Sequence, residues 1–273
     1  MNEIAKDIEI LKKAQSLFVS NETGVSLKGD FVSLVADLRI AHALKKVSID
    51  QVVKTNFIIQ DIWNICTIIH RLDWFREQAI KEKALDNMWL PYASVDIEHF
   101  HIEFRSVMNY AAEIISNASG KPGQIPVSFR KLFKWVKENS GNRKRIGEGL
   151  AVIVESASWF PAIRGVRDSL LHLGSFTLIF GSPKDGILFQ VVMNGSTDLI
   201  YHKQLMLNNN VVYFERYAAI YLAYLFCFLE SLSGVLYKAL NIDRTGDNAK
   251  CSSPGFHIVS RWMEELINII EKG

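Results

Sequence analysis

The placement of proline is the feature that most constrains the fold of this chain. None of its six prolines precedes Pro91. Proline interrupts helices because it lacks a backbone N–H group and clashes with the preceding turn. The first ninety residues can therefore form long helices, and apolar periodicity predicts three, over about 3–19, 30–47 and 49–83, with Ser48 as the N-cap of the third.

The rest of the chain is predicted to be mostly helical with one β-rich insertion. Further helices are expected over about 94–119, 128–138, 145–156, 161–173, 215–240 and 256–271. Segments FTLIF and ILFQVVM flank GSPKDG and predict a β-hairpin, which DLIYH and VVYF extend to a small sheet. Residues 20–29 and 241–255 are predicted to be polar loops. No repeat or low-complexity linker divides the chain.

We therefore expect a single mainly α domain over residues 1–273. It is a helical bundle with a small antiparallel hairpin or sheet inserted after the helix at 161–173. Its parts are N-terminal helices over about 1–85, a core over about 90–240 and a C-terminal helix over about 256–271.

Composition limits the classes of partner. Lysine and arginine total 31 against 29 acidic residues, a formal net charge of +2. This is too small to indicate a nucleic-acid partner by overall charge, so any such contact must be local. The three cysteines are far apart and predict neither disulfides nor a zinc site. The N-terminus is unlike a signal peptide, so we expect a cytoplasmic protein.

The most apolar run lies between Tyr217 and Leu229. It is shorter than the roughly 20 residues that a transmembrane helix needs. We therefore predict a buried core helix and no membrane contact. A membrane-associated protein that uses residues 217–237 is the alternative.

Common motifs for cofactors are absent from the sequence. It contains no phosphate-binding loop, dinucleotide-binding glycine motif, zinc-protease motif or nucleophile elbow, and we predict no cofactor. Asp96, His99 and Glu103 share one helix face that a metal ion could use. No second helix carries matching ligands, so we predict no metal site.

The most informative stretch is SWFPAIRGVRDSLLHLG, residues 158–174. Asp168 and His172 are one helical turn apart, so the carboxylate can orient the imidazole and support its protonated form. Arg164 is one turn before Asp168 and is a further candidate for contacting an anionic strand. Arg167 could reach a phosphate group beside His172, because a guanidinium binds phosphate with two parallel hydrogen bonds.

Two basic clusters could guide an anionic strand. One comprises Arg130, Lys131, Lys134 and Lys137, with Phe133 and Trp135 between them, and the other comprises Arg143, Lys144 and Arg145. Positive charge combined with aromatic stacking is typical of proteins that bind single-stranded nucleic acid. A solvated helix face is the alternative interpretation.

The stretch at 158–174 resembles the signature of the HEPN superfamily, whose active members carry Arg-x4-6-His with Asn, Asp or His often directly after the arginine. Arg167, Asp168 and His172 match that pattern. The order of elements over about residues 90–240 is also similar, and a hairpin directly after the motif helix resembles one bacterial branch of the superfamily. The first 85 residues are similar only in being helical.

The resemblance implies a metal-independent endoribonuclease of a toxin or defence type, acting on RNA. His172 would be the general acid or base and Arg167 would stabilise charge on the phosphate. It also implies a homodimer, with an antitoxin or regulatory protein as a further partner. Two alternatives remain. The chain could be a non-catalytic module that binds a protein or small ligand, or Arg167 could simply pair with Asp168 while His172 is a core histidine.

Overall fold

A computed structural model of the chain describes residues 3–22, 24–82, 86–121, 123–172, 177–190, 203–208, 211–245 and 249–272. The helices in this part are α1 Glu3–Gln15, α2 Asp30–Ala43, α3 Ile49–Lys81, α4 Asp86–Ala118, α5 Phe129–Glu138, α6 Ser140–Ile146, α7 Glu148–Ser156, α8 Phe160–His172, α9 Phe214–Ala239 and α10 Phe256–Lys272. The strands are β1 Phe18–Asn21, β2 Gly24–Lys28, β3 Leu178–Phe180, β4 Leu188–Gln190, β5 Met206–Asn208, β6 Val211–Tyr213 and β7 Lys250–Ser252. The fold is mainly α with small antiparallel sheets, as predicted.

Helix α9 lies at the centre of the core. It packs against α1, α2, α4, α7 and α10, and residues 217–223 along it are all buried. Among the described residues, α9 is the one helix long and apolar enough to cross a membrane, and 72% of its apolar segment is buried inside the protein. The predicted burial of this segment is confirmed.

The longest pair of elements is the antiparallel hairpin of α3 and α4. Ser48 caps α3 as predicted: its Oγ accepts from the Gln51 N–H at 3.3 Å, and Gln51 Oε1 accepts from the Ser48 N–H at 3.0 Å. Helix α4 begins at Asp86, so the predicted start at Ser94 was wrong. Pro91 lies near the N-terminus, where it removes one helical hydrogen bond, and buried Trp89 stacks on Phe75 of α3 with ring centres 6.3 Å apart. The packing of Trp89 against Phe75 therefore offsets the hydrogen bond that α4 loses at Pro91.

The two segments predicted to be loops contain strands. Strands β1, β2 and β7 form an antiparallel sheet in that order, which joins the N-terminal region to the segment before α10. Ser26 and Ser252 share a hydrogen bond of 2.8 Å across it. Strands β1 and β2 are sequence neighbours, and β7 pairs with β2 from more than 200 residues away. Each strand has only three to five residues, which is too short for apolar alternation to reveal it.

A helix also occupies the turn predicted between the helices over 128–138 and 145–156. Residues 140–146 form α6, and Asn139 caps it by accepting from the Asn142 N–H at 2.9 Å. Asn142 in turn donates to the Trp135 carbonyl at 2.8 Å. Capping and this contact with α5 stabilise a helix too short to show apolar periodicity.

The second sheet follows the motif helix, in the order β3-β4-β6-β5 with antiparallel neighbours. The predicted hairpin is confirmed as β3 and β4, and VVYF supplies β6. Strand β5 was not predicted, and DLIYH lies outside the described residues. Arg76 of α3 holds the hairpin connection by donating to the Pro183 carbonyl at 2.7 Å.

Candidate phosphate-binding site

Aromatic contacts fix the motif helix α8 against α4 and α5. The ring centres of Phe160 and Phe129 lie 5.0 Å apart, and those of Trp159 and Phe104 lie 5.8 Å apart, each pair edge to face. Ile163 and Val166 continue the buried side of α8. Because the apolar side of α8 faces the core, Arg164 and Arg167 lie on its other side, where both are half-buried.

Two of the aromatic partners of Trp159 and Phe160 are each followed in sequence by an arginine. Phe104 precedes Arg105 on α4, and Phe129 precedes Arg130 on α5. Burial lowers the pKa of Arg105, and the positive charges of Arg167, Arg164 and Arg130 lower it further, against the opposing effect of Asp168. Arg167, Arg164 and Arg130 are therefore close enough to Arg105 for their charges to act on it. We call Arg105, Arg130, Arg164 and Arg167 the arginine cluster.

Asp168 lies within the arginine cluster. Its Oδ1 accepts a hydrogen bond from Arg167 Nη1 at 3.0 Å, and its Oδ2 is paired with Arg164 Nη2. Burial alone would raise the pKa of Asp168, but the hydrogen bonds and charges of Arg167 and Arg164 outweigh burial and lower it. The carboxylate is thus ionised at neutral pH, and it offsets one of the four positive charges of the arginine cluster.

The excess positive charge belongs mainly to Arg105 and Arg130. Within the described part of the chain, neither side chain has a hydrogen bond or an ion pair. Arg105 is half-buried and Arg130 is exposed, whereas the Arg167 side chain is only 13% exposed. Because charges in partly buried positions are weakly screened, such a site favours an anion that accepts several hydrogen bonds, such as phosphate.

The structure brings together some of the predicted residues and separates others. Arg164, Arg167 and Asp168 are in direct contact, and the charge of Arg130 acts on Arg105 beside them. His172 ends α8, but its side chain lies outside the described residues, so its pairing with Asp168 stays a prediction.

The other predicted basic residues lie outside the arginine cluster. Lys131, Lys134 and Lys137 are exposed on α5, and Lys137 lies over the Phe133 ring, 4.1 Å from its centre. In the second basic cluster, Arg143 is paired with both Glu148 and Glu155. Lys144 and Arg145 are exposed. The second cluster therefore has less unpaired charge than its sequence suggests.

Sequence reasoning missed Arg105. It is the one basic residue in the helix predicted over 94–119 other than histidine, and it follows a phenylalanine that faces the core. A lone arginine bordering an apolar stripe was the available signal. Only the packing of α4 against α8 shows that it lies near the motif.

The acidic and histidine side chains of α4 do not converge on one point. Asp96 is paired with Arg71, Glu103 Oε2 accepts from Asn64 at 3.3 Å, and His99 is exposed. In the described ranges, no group of three or more His, Cys, Asp or Glu side chains is arranged to hold a metal ion.

Comparison with known proteins gives no relative: no protein-family model, no curated protein and no solved structure matches this chain.

Proposed function

We propose that this protein binds RNA at the arginine cluster and cleaves it there, in a toxin or defence role. The observation that carries the proposal is the contact of Arg164 and Arg167 of α8 with Asp168, beside Arg105 of α4, on which the charges of Arg164, Arg167 and Arg130 of α5 all act. The sequence had indicated Arg130 and Arg164 for RNA binding and Arg167 for stabilising charge on the phosphate. The resemblance to HEPN proteins supplies the choice of RNA.

The binding step follows from the charges. A phosphodiester accepts hydrogen bonds through two non-bridging oxygens, and a guanidinium matches both. Arg105 and Arg130 are unpaired within the described part of the chain and would neutralise the phosphate. The pairing of Asp168 with Arg164 and Arg167 holds those two side chains in place.

The cleavage step uses the nucleophile that RNA carries. In this proposal the ribose 2′ oxygen attacks the adjacent phosphorus, and the bond from phosphorus to the 5′ oxygen breaks. A base removes the 2′ hydroxyl proton and an acid gives a proton to the leaving 5′ oxygen. The products are a 2′,3′-cyclic phosphate and a 5′ hydroxyl. His172 is the proposed acid or base, since the ordinary pKa of histidine, about 6.5, suits both roles, and a homodimer would supply two copies.

Binding is tested by fluorescence anisotropy with a labelled single-stranded RNA. Arg105→Gln and Arg130→Gln each remove one unpaired charge, and we expect each to weaken binding by about 10-fold, the effect of about 1.4 kcal/mol. Arg39→Gln removes an exposed arginine on α2 and is the matched control. Equal affinity for all three variants and the unchanged protein would refute the proposed binding site.

Cleavage is tested with the same RNA and a version methylated at every 2′ oxygen. The unmodified RNA should be cut in the presence of EDTA, the methylated one should stay intact, and His172→Ala should abolish cutting while leaving affinity within a factor of about 2. Full activity of His172→Ala would remove the catalytic role but leave the binding role intact.

A second candidate function is a non-catalytic module that binds a protein. It is supported by an apolar stripe on α4, where Met88, Tyr92, Val95 and Ile102 follow helical spacing and are between 36% and 52% exposed. Under this alternative RNA is neither bound nor cut. The anisotropy experiment therefore separates the two functions.

A further inference from the structure

A cleft separate from the arginine cluster lies between α3, the start of α9 and α10. Its volume is about 470 Å³, which is within the range of small-ligand sites. The lining residues come from the C-terminal half of α3, the junction of β6 with α9, and the middle of α10. None of the residues of the arginine cluster borders it.

The cleft contains charges of both signs. Three arginines and four acidic residues line it: Arg76, Arg216, Arg261, Asp73, Glu77, Glu215 and Glu265. Two ion pairs within the cleft involve four of these seven residues. Arg261 pairs with Asp73 at 2.8 Å, and Arg76 Nη1 lies 3.6 Å from Glu215 Oε1. Glu265 lies 3.8 Å from Arg261 Nε.

Two opposite charges in the cleft have no such partner. Within the described residues, neither Arg216 at the start of α9 nor Glu77 on α3 has an oppositely charged side chain at ion-pairing distance. The two are carried by different elements that border the same space. A ligand with a negative and a positive end could contact both.

Arg216 is held in a fixed orientation. Its guanidinium lies over the Tyr213 ring, 3.9 Å from the ring centre, and its Nη1 donates to the Gln204 carbonyl at 2.7 Å. Stacking and one hydrogen bond reduce the freedom of this long side chain in advance of binding. A guanidinium held this way is suited to a carboxylate, which it can contact through two parallel hydrogen bonds.

The remaining lining is apolar. Ile80 of α3 faces the same space as Leu266 and Ile269 of α10, and Trp262 lies beside them. We propose that this cleft binds a free α-amino acid with an apolar side chain. Its carboxylate contacts Arg216, its ammonium group contacts Glu77, and its side chain lies against the isoleucines.

Isothermal titration of the full chain with L-leucine tests the proposal. We expect saturable binding of leucine, and binding at least about 10-fold weaker for leucinamide and N-acetylleucine, which each lack one of the two charges. Glu77→Gln and Arg216→Gln should each weaken leucine binding by a similar factor. Glu138→Gln, at an exposed position on α5, is the control and should leave it unchanged.

Three outcomes would overturn the proposal: no heat of binding at millimolar leucine, equal affinity for leucine and its two derivatives, or equal affinity for the variants and the unchanged protein. Glu77 is exposed and its substitution does not disturb the core, so this variant remains informative even if Arg216→Gln fails to fold. RNA binding involves other residues, so the outcome is independent of the proposed nuclease function.

Discussion

Arg167 donates a hydrogen bond of 3.0 Å to the carboxylate of Asp168, its neighbour in the sequence. The other oxygen of that carboxylate is paired with Arg164, one helical turn earlier. Both oxygens of the acid in the motif thus contact arginines of the same helix. Asp168 therefore holds the two arginines in position and reduces their mutual repulsion.

Replacement of Asp168 by Asn should lower stability and strengthen RNA binding. Loss of the two ion pairs should decrease the free energy of unfolding at pH 7 by about 1 kcal/mol, since the groups are partly exposed. The Asn carbonyl oxygen can still accept a hydrogen bond from one of the two arginines, so the cluster would keep this anchor and gain one unit of positive charge. Urea unfolding and RNA anisotropy measure the two effects, and weaker RNA binding by a folded Asp168→Asn protein would contradict the proposed role of the cluster.

The stability effect of Asp168→Asn should depend on pH. The pKa of Asp168 is lower in the folded protein than in the unfolded chain, so its contribution is present above the unfolded pKa and is lost as the pH falls through the folded pKa. The difference between variant and unchanged protein should therefore narrow below about pH 4, the usual pKa of Asp. A constant difference at lower pH would contradict this assignment.

The salt dependence of RNA binding should report the contribution of Arg105. For single strands, the slope of log affinity against log salt concentration is about 0.7 for each phosphate that the protein neutralises. We expect Arg105→Gln to reduce the slope by about that amount, because its unpaired charge is available to a phosphate. Anisotropy titrations at several salt concentrations measure it, and Arg39→Gln should keep the original slope. An unchanged slope for Arg105→Gln would place Arg105 outside the RNA-binding surface.

The sequence was sufficient for elements that long apolar stripes define. Helices α3 and α9 were predicted within two residues of their observed ends, because α3 buries one face along its length and α9 is apolar and buried almost all round. The strands at 18–28 and 250–252 were missed since each is only three to five residues long, and β7 pairs with β2 from more than 200 residues away. At the candidate site, spacing on one helix sufficed to link Arg164 with Asp168. The approach of Arg105 depends on how α4 packs against α8, which no local pattern encodes.

His101 should make the protein less stable in mild acid. Burial lowers its pKa to about 4, and the neutral ring lies 2.7 Å from the Ile97 carbonyl through Nδ1 and 2.9 Å from the Tyr217 hydroxyl through Nε2. The unfolded chain takes up a proton near pH 6.5, so stability falls as the pH decreases from 6.5 to 4, by as much as about 3 kcal/mol. Urea unfolding across this range should show a smaller acid-induced loss for His101→Gln. An identical loss in both proteins would refute this role.

Asp61 should make the protein less stable as the pH rises, which is opposite to the effect of His101. Burial and the adjacent negative charge of Glu103 raise the pKa of Asp61 to about 7. A raised pKa contributes stability that is present below the unfolded pKa of about 4 and is lost as the pH rises through 7. Asp61→Asn removes this loss and should increase the free energy of unfolding at pH 8 by about 1 kcal/mol after allowance for solvent screening. Urea unfolding at pH 6, 7 and 8 tests it, and a parallel decline in both proteins would contradict the assignment.

Gly255 should be essential for the packing of α10 against α3. A Cβ atom at this position would lie 1.8 Å from the carbonyl oxygen of Cys66, a backbone atom within α3 that can move only with its helix. We expect Gly255→Ala to lower the free energy of unfolding by about 3 kcal/mol. Gly234→Ala is the matched control: in α9 its Cβ would meet no atom within 4 Å, so it should stabilise the protein by about 0.5 to 1 kcal/mol through lower chain entropy. Urea unfolding measures both, and similar values for the two variants would show that the two helices do not approach this closely at Gly255.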